Sequence, residues 1–294
     1  MVDDLIAIGS ADLTARINPL GAELWSLTDE AAHEYMTEAD PAFWSGHAPI
    51  LFPIVGSLRG DTLRHRGRDY VLPRHGFARR SRFAVIEQAP DRARFRLTDS
   101  DATHRAYPFA FVLDIAFRME RMTLHVEACV TNPGADDLPF SLGYHPAFAW
   151  PLPGGADKSA HCLTFAHDEP QPIRRVARET GVLLAETWPT PVKGRDLPLD
   201  EALFAADAVI WDHLASRRVR YHAPDGAALD IAFPDLPMLG LWQVVGARYI
   251  CIEPWQGHAD PHGFDGEFAA KPGLVILPPG AVRSFRMSVT VTPP

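Results

Sequence analysis

An all-β, mostly antiparallel fold is what this sequence predicts, on three observations. Apolar and polar residues alternate with period two in run after run, prolines and glycines gather between the runs, and helical i, i+3, i+4 stripes are scarce. In chain order the first clear run is Leu13–Ile17. In 92–98, Ala93, Phe95 and Leu97 alternate with Arg92, Arg94, Arg96 and Thr98. Phe109–Phe117 follows, and then Met122, Leu124, Val126, Ala128 and Val130 alternate with Thr123, His125, Glu127 and Cys129. Val219–Tyr221, Leu229–Phe233, Leu239–Val245 and the apolar run Tyr249–Ile252 come next. The last is Phe285, Met287, Val289 and Val291, set against Arg286, Ser288, Thr290 and Thr292. Each alternation gives one face to a core and one to water, as antiparallel sheets require. Glu201–Ala206 and Pro41–Trp44 are the two short helix expectations.

The 294 residues, 47% hydrophobic and 22% charged, suffice for a large core without a metal or disulfide staple. We expect a single domain over 1–294. The best linker candidate, 151–155, is short enough to join two strands of one sandwich. A net charge of −9 opposes binding to nucleic acid or anionic membrane. The run Arg64, Arg66, Arg68, Arg74, Arg79, Arg80 and Arg82 departs from that average and reads as solvated loops. Cys129, Cys162 and Cys251 are far apart and give no disulfide framework. The acidic start Met1-Val2-Asp3-Asp4 does not resemble a signal peptide, and no apolar run has membrane-helix length. These features predict a cytoplasmic protein.

Chemistry is narrowed first by what is missing. There is no phosphate-binding Gly-x-x-x-x-Gly-Lys-Ser/Thr and no Gly-x-Ser-x-Gly elbow. His258, Asp260, His262 and Asp265 share one loop, but their spacing matches no strong metal motif, so we expect no metal and no other cofactor. Four segments place polar beside aromatic residues in Pro- and Gly-rich surroundings: 49–60, 73–79, 141–148 and 249–257. In the last, Glu253 interrupts a strand that reads as buried, where a carboxylate is costly unless paired or functional. A strand-end carboxylate turned to solvent is the alternative. His145 ends another strand just before a proline, and His75 lies between Arg74 and Gly76. Each could equally be a hydrogen-bonded structural histidine.

Taken together, the four segments resemble the galactose mutarotase (aldose 1-epimerase) family, in its shorter bacterial branch. The likeness runs from Asn18-Pro19-Leu20-Gly21-Ala22-Glu23-Leu24 to Leu277-Pro278-Pro279-Gly280. It is most specific at Arg74-His75-Gly76-Phe77-Ala78-Arg79 and at Ile252-Glu253-Pro254-Trp255. The resemblance implies a β-supersandwich with an open cleft for a pyranose, and an isomerase that interconverts anomers. It assigns the general base to Glu253, the general acid to His145, the second active-site histidine to His75, the substrate-binding arginine to Arg59 and a hydroxyl-binding aspartate to Asp212. The chemistry calls for base and acid on opposite sides of the reacting bond. Trp255, Trp242 and Phe77 are candidates to stack on the sugar.

Two departures, the arginine before His75 and the proline after His145, keep the identity of the aldose open. Members acting on hexose 6-phosphates carry a similar His-Gly-Phe-Ala-Arg segment, so Arg74 and its neighbours could clamp a phosphate. A non-catalytic carbohydrate-binding sandwich is the other alternative. The expected partner is a small sugar, and monomer and homodimer both remain open.

Overall fold

A computed structural model describes residues 4–224 and 226–294. Two antiparallel sheets dominate. The larger has nine strands in the order Asp196–Pro198, Cys162–Phe165, Arg218–His222, Ala228–Ala232, Val282–Thr292, Thr123–Thr131, Val112–Glu120, Arg92–Thr98 and Ala84–Ala89. The second runs Val209–Trp211, Met238–Trp242, Tyr249–Gln256, Leu142–Tyr144 and Ile50–Leu51, with Ala147–Ala149 also paired to Tyr249–Gln256. A three-stranded sheet (Ile6–Gly9, Leu13–Asn18, Glu23–Asp29) and two short ribbons complete the described strands.

The alternation read from sequence sets the layers. Along Thr123–Thr131, Leu124, Val126, Ala128 and Val130 are buried while Glu127 is exposed. Register stacks these residues across three strands, Phe117 beside Val126 beside Met287 and Ile115 beside Ala128 beside Phe285. Burying each such large side chain contributes on the order of 1.5–3 kcal/mol. The two main sheets meet through this face. From the second sheet, the buried Tyr144 hydroxyl donates to the Phe285 carbonyl at 2.8 Å, and Phe140 of the Leu138–Phe140 ribbon packs edge-on against the Phe285 ring at 6.1 Å. The Tyr221 hydroxyl reaches the other way, to the Ala149 carbonyl at 2.9 Å. Each tyrosine buries its ring and satisfies its one polar atom, as buried tyrosines require.

Several local expectations need correction. Pro41–Trp44 is a turn, because the amides of Phe43 and Trp44 both donate to the Asp40 carbonyl and no further turn follows. Glu201–Phe204 is a 3-10 helix, capped by Asp200 onto the Ala202 amide. One α-helix was not foreseen, Asp101–His104, a single turn fixed by a Ser100–Thr103 capping box. The strand expected from Phe109 starts at Val112, and the one expected to reach Val245 stops at Trp242. Residues 151–155 connect a strand of the second sheet to a strand of the larger one. Among the described residues no helix is long and apolar enough to cross a membrane.

Candidate active site

The strand Tyr249–Gln256 is central in its sheet and buried on both faces. Its alternation separates two environments. Ile250 and Ile252 enter the main core, whereas Tyr249, Cys251, Glu253 and Trp255 point the other way. On that second face lies a cavity of about 220 Å³. Two glycines on the flanking strands make room for its floor. A Cβ at Gly143 or at Gly240 would come within 2.5 Å or 2.4 Å of the Trp255 ring, so the indole lies across both strands where only glycine fits.

His145 occupies the break between Leu142–Tyr144 and Ala147–Ala149, both of which pair with the Glu253 strand. That break turns its imidazole into the cavity. Nε2 lies 3.2 Å from Glu253 Oε2, and the two residues are only 7% and 2% exposed. Burial pushes the Glu253 carboxyl well above the usual carboxylate range. The nearby Trp255 indole opposes that rise and the Asp207 carboxylate adds to it. Burial pushes the His145 imidazole down, aided by the positive charge of Arg79. Both groups therefore resist carrying an isolated charge, and they stand in contact at 3.2 Å. Base and acid thus converge in direct contact rather than standing on opposite sides.

His75 completes the titratable cluster, its ring edge-on to His145 at 5.8 Å. Its Nδ1 accepts from the Gly56 amide at 3.1 Å, which leaves the ring proton on Nε2. Burial, followed by the charges of His145, Arg79 and Arg74, pushes its pKa well down, so it works as a neutral donor. The Arg74 guanidinium is held by Nε on Ser57 Oγ at 2.8 Å, and Arg79 donates to the Arg74 carbonyl at 3.0 Å. Trp44 faces His145 at 5.1 Å and meets Trp242 edge-on at 5.4 Å, forming an aromatic wall.

Profile matching decides the family, because the aldose 1-epimerase family model matches residues 4–290. The chain belongs to the aldose 1-epimerase family. Among its relatives, the chromosomal LacX protein of Lactococcus lactis subsp. lactis is 34% identical over 254 residues, 83% of this chain and 85% of that one. The solved structure of a galactose mutarotase related enzyme from Lactobacillus acidophilus superposes with a TM-score of 0.88 at 29% identity, covering 98% of this chain and 97% of that one. A galactose mutarotase-like protein from Lactobacillus casei gives 0.91 at 28%, covering 98% and 100%. The fold is that of the galactose mutarotase-like sandwiches.

Within this aldose 1-epimerase fold, Glu253, His145, His75, Arg74 and Trp255 all line the one cavity. Three expected residues do not. The Arg59 side chain is exposed on a 3-10 turn, and the residue is held by its backbone: the amide donates to Asp260 at 2.8 Å and the carbonyl accepts from the Thr62 amide. Asp212 follows the strand Val209–Trp211 and is paired with Arg174 at 2.9 Å, away from the cavity. The aspartate that does line it, Asp207, precedes that strand and is turned there by a positive φ of 70°. Phe77 belongs to the core, packed against Phe52, Tyr107 and Phe111.

Of the arginine run expected in solvated loops, Arg74, which was also expected to bind substrate, and Arg79 line the cavity instead. The His258 loop is divided as well. His258 and Asp260 are buried and held by the Ala259 carbonyl, the Arg59 amide and the buried Lys271, while His262 and Asp265 are exposed. Of the four, only His258 reaches the cavity wall.

Proposed function

We propose that this protein is an aldose mutarotase in which Glu253 and His145 form one proton-transfer pair. The buried 3.2 Å contact between Nε2 and Oε2 at the cavity wall carries this reading. In a pyranose, the anomeric hydroxyl oxygen and the ring oxygen are bonded to the same carbon. A base and an acid serving them must therefore lie close together, as these two do.

The reacting form has the pair's one proton moved from Glu253 to His145: the Glu253 carboxylate takes the hydroxyl proton while the His145 imidazolium gives its proton to the ring oxygen. The C1–ring oxygen bond breaks, the C1 carbonyl forms, and rotation about C1–C2 followed by the reverse transfers yields the other anomer. The pair ends with the proton count it began with. His75 Nε2–H, Asp207 and the Trp44–Trp242 wall supply the donor, acceptor and apolar surface that hold the sugar. A cavity below the roughly 300–1,000 Å³ of drug-sized pockets suits a single monosaccharide. We place the enzyme in the cytoplasm as one domain over 1–294, with no cofactor.

Polarimetric or NMR exchange assays across free and phosphorylated aldoses test the proposal. Accelerated exchange that Glu253→Gln abolishes supports it. A folded Glu253→Gln protein within threefold of the parent would favour the passive sugar-binding sandwich instead.

A second reading, an anionic aldose such as a hexose phosphate, rests on Arg74 and Arg79. Both line the cavity, and among the described residues neither has a carboxylate within salt-bridge distance. Faster turnover of the phosphorylated sugar, lost in Arg74→Ala, is the outcome that selects it.

A further inference from the structure

We propose that the cavity face of the Glu253 strand also forms a binding site for a zinc-class divalent cation, with Cys251 as the third ligand, and that the ion switches the enzyme off. The binding rests on geometry alone, while the inhibition rests on the reading of Glu253 and His145 as the proton-transfer pair. Cys251 is two residues before Glu253 on the same face and fully buried. One ligand atom each from His145, Cys251 and Glu253 lie within 4.8 Å of one another. Zinc bonds of about 2.0–2.3 Å in tetrahedral geometry separate two ligands by roughly 3.5 Å. The imidazole and carboxylate already stand at 3.2 Å, so only the sulfur needs to move in, by about 1 Å. His145 Nδ1 is buried with no hydrogen-bond partner, so no hydrogen bond on that side of the ring opposes the small turn this needs.

Charge favours the complex. In the empty site the thiol and the pair carry two protons and no net charge. Replacing both protons with a divalent ion gives thiolate, carboxylate, neutral imidazole and the ion, again with no net charge, and releases two protons to solvent. A buried site tolerates this exchange because no uncompensated charge is created. The thiolate selects zinc or cobalt over magnesium and calcium, which prefer oxygen ligands. Three protein ligands leave a fourth position open to the cavity. Arg79 and Asp207, on the cavity wall, act on the ion with opposite signs. With the ion bound, neither member of the pair can exchange a proton with a sugar. The ion would also fill the space that the anomeric oxygens need.

Cobalt(II) is the spectroscopic probe. Added to the metal-free protein, it should produce near-ultraviolet thiolate-to-metal absorption that is absent in Cys251→Ala and Cys251→Ser. Calorimetry with zinc in buffers of different protonation enthalpy should show two protons released. Sugar at saturation should weaken zinc binding. In the mutarotation assay, zinc should inhibit the parent and a chelator should restore it. Cys251→Ala should keep its basal rate and raise the half-inhibiting zinc concentration by more than the about 10–100-fold expected for loss of an outer-shell partner. Absence of the thiolate band in the parent, or its persistence in Cys251→Ala, overturns the site. A thiolate band with undiminished mutarotation overturns the switch. A metal-free protein that binds cobalt through Cys251 yet turns over no aldose supports the metal site while overturning the proposed function.

Discussion

Burial acts in opposite directions on Glu253 and His145, and the pH dependence of the pair follows from that. The carboxyl, pushed up, keeps its proton as the pH rises, while the imidazole, pushed down, declines a second proton as it falls. The pair therefore favours holding one proton, on the Glu253 carboxyl, over holding none or two. The alkaline limb of the rate profile should report loss of the Glu253 proton and the acid limb the charging of His145, the reverse of what the free side chains would give. Profiles of kcat for the parent and for His145→Asn check this: the residual rate of the variant, which needs only the Glu253 carboxylate, should lose the alkaline limb and keep an acid limb set by that carboxyl.

Replacing either residue should lower kcat by about 10²–10⁴ with little change in sugar affinity, and the two losses should not multiply. Stability carries its own sign. A carboxyl raised in the folded state binds more protons there than in the unfolded chain, so stability is lost as pH rises from its ordinary range through the folded value. Glu253→Gln lacks that loss, and its melting temperature should gain on the parent as the pH rises above the ordinary carboxylate range. Both pair members were legible because each interrupts or ends an apolar strand. Asp207 and Trp44 were not, since each sits in a turn whose direction depends on backbone angles that residue types do not announce.

At the scale of single elements, the Tyr249–Gln256 strand shows what patterning can and cannot give. An apolar run broken by a carboxylate was visible as a strand, and its alternation does separate core from cavity. That Trp255 would lie over its neighbours rather than outward was hidden, because it depends on Gly143 and Gly240, which are far apart in sequence and brought to either side of this strand only by register. Gly240→Ala is the corresponding test. The added methyl meets the indole at 2.4 Å, so the ring must shift. Overpacking of this kind costs about 1–3 kcal/mol, read as a lower melting temperature with an altered tryptophan near-ultraviolet dichroism. Because Trp255 borders Glu253, turnover should fall too. An unchanged near-ultraviolet spectrum would count against the packing described.

For the molecule as a whole, the main core draws on residues from Ile8 to Val291 and joins both large sheets. We predict a single unfolding transition in urea, with tryptophan fluorescence and far-ultraviolet dichroism superimposing. Two separated transitions would argue for independent units and against one domain over 1–294. All-β class and antiparallel pairing were legible from period-two alternation. Strand order was not, because pairing partners such as Thr123–Thr131 and Val282–Thr292 lie far apart along the chain.

The position of that Val282–Thr292 strand has a consequence for biosynthesis. It is the middle strand of nine, hydrogen-bonded along one edge to Thr123–Thr131 and along the other to Ala228–Ala232, yet it is the last of the nine along the chain. Until residues 282–292 have left the ribosome, the larger sheet can exist only as two ribbons with facing open edges. Closure waits for that strand. The interval between synthesis and closure is when this chain is most open to capture by chaperones or to edge-to-edge aggregation.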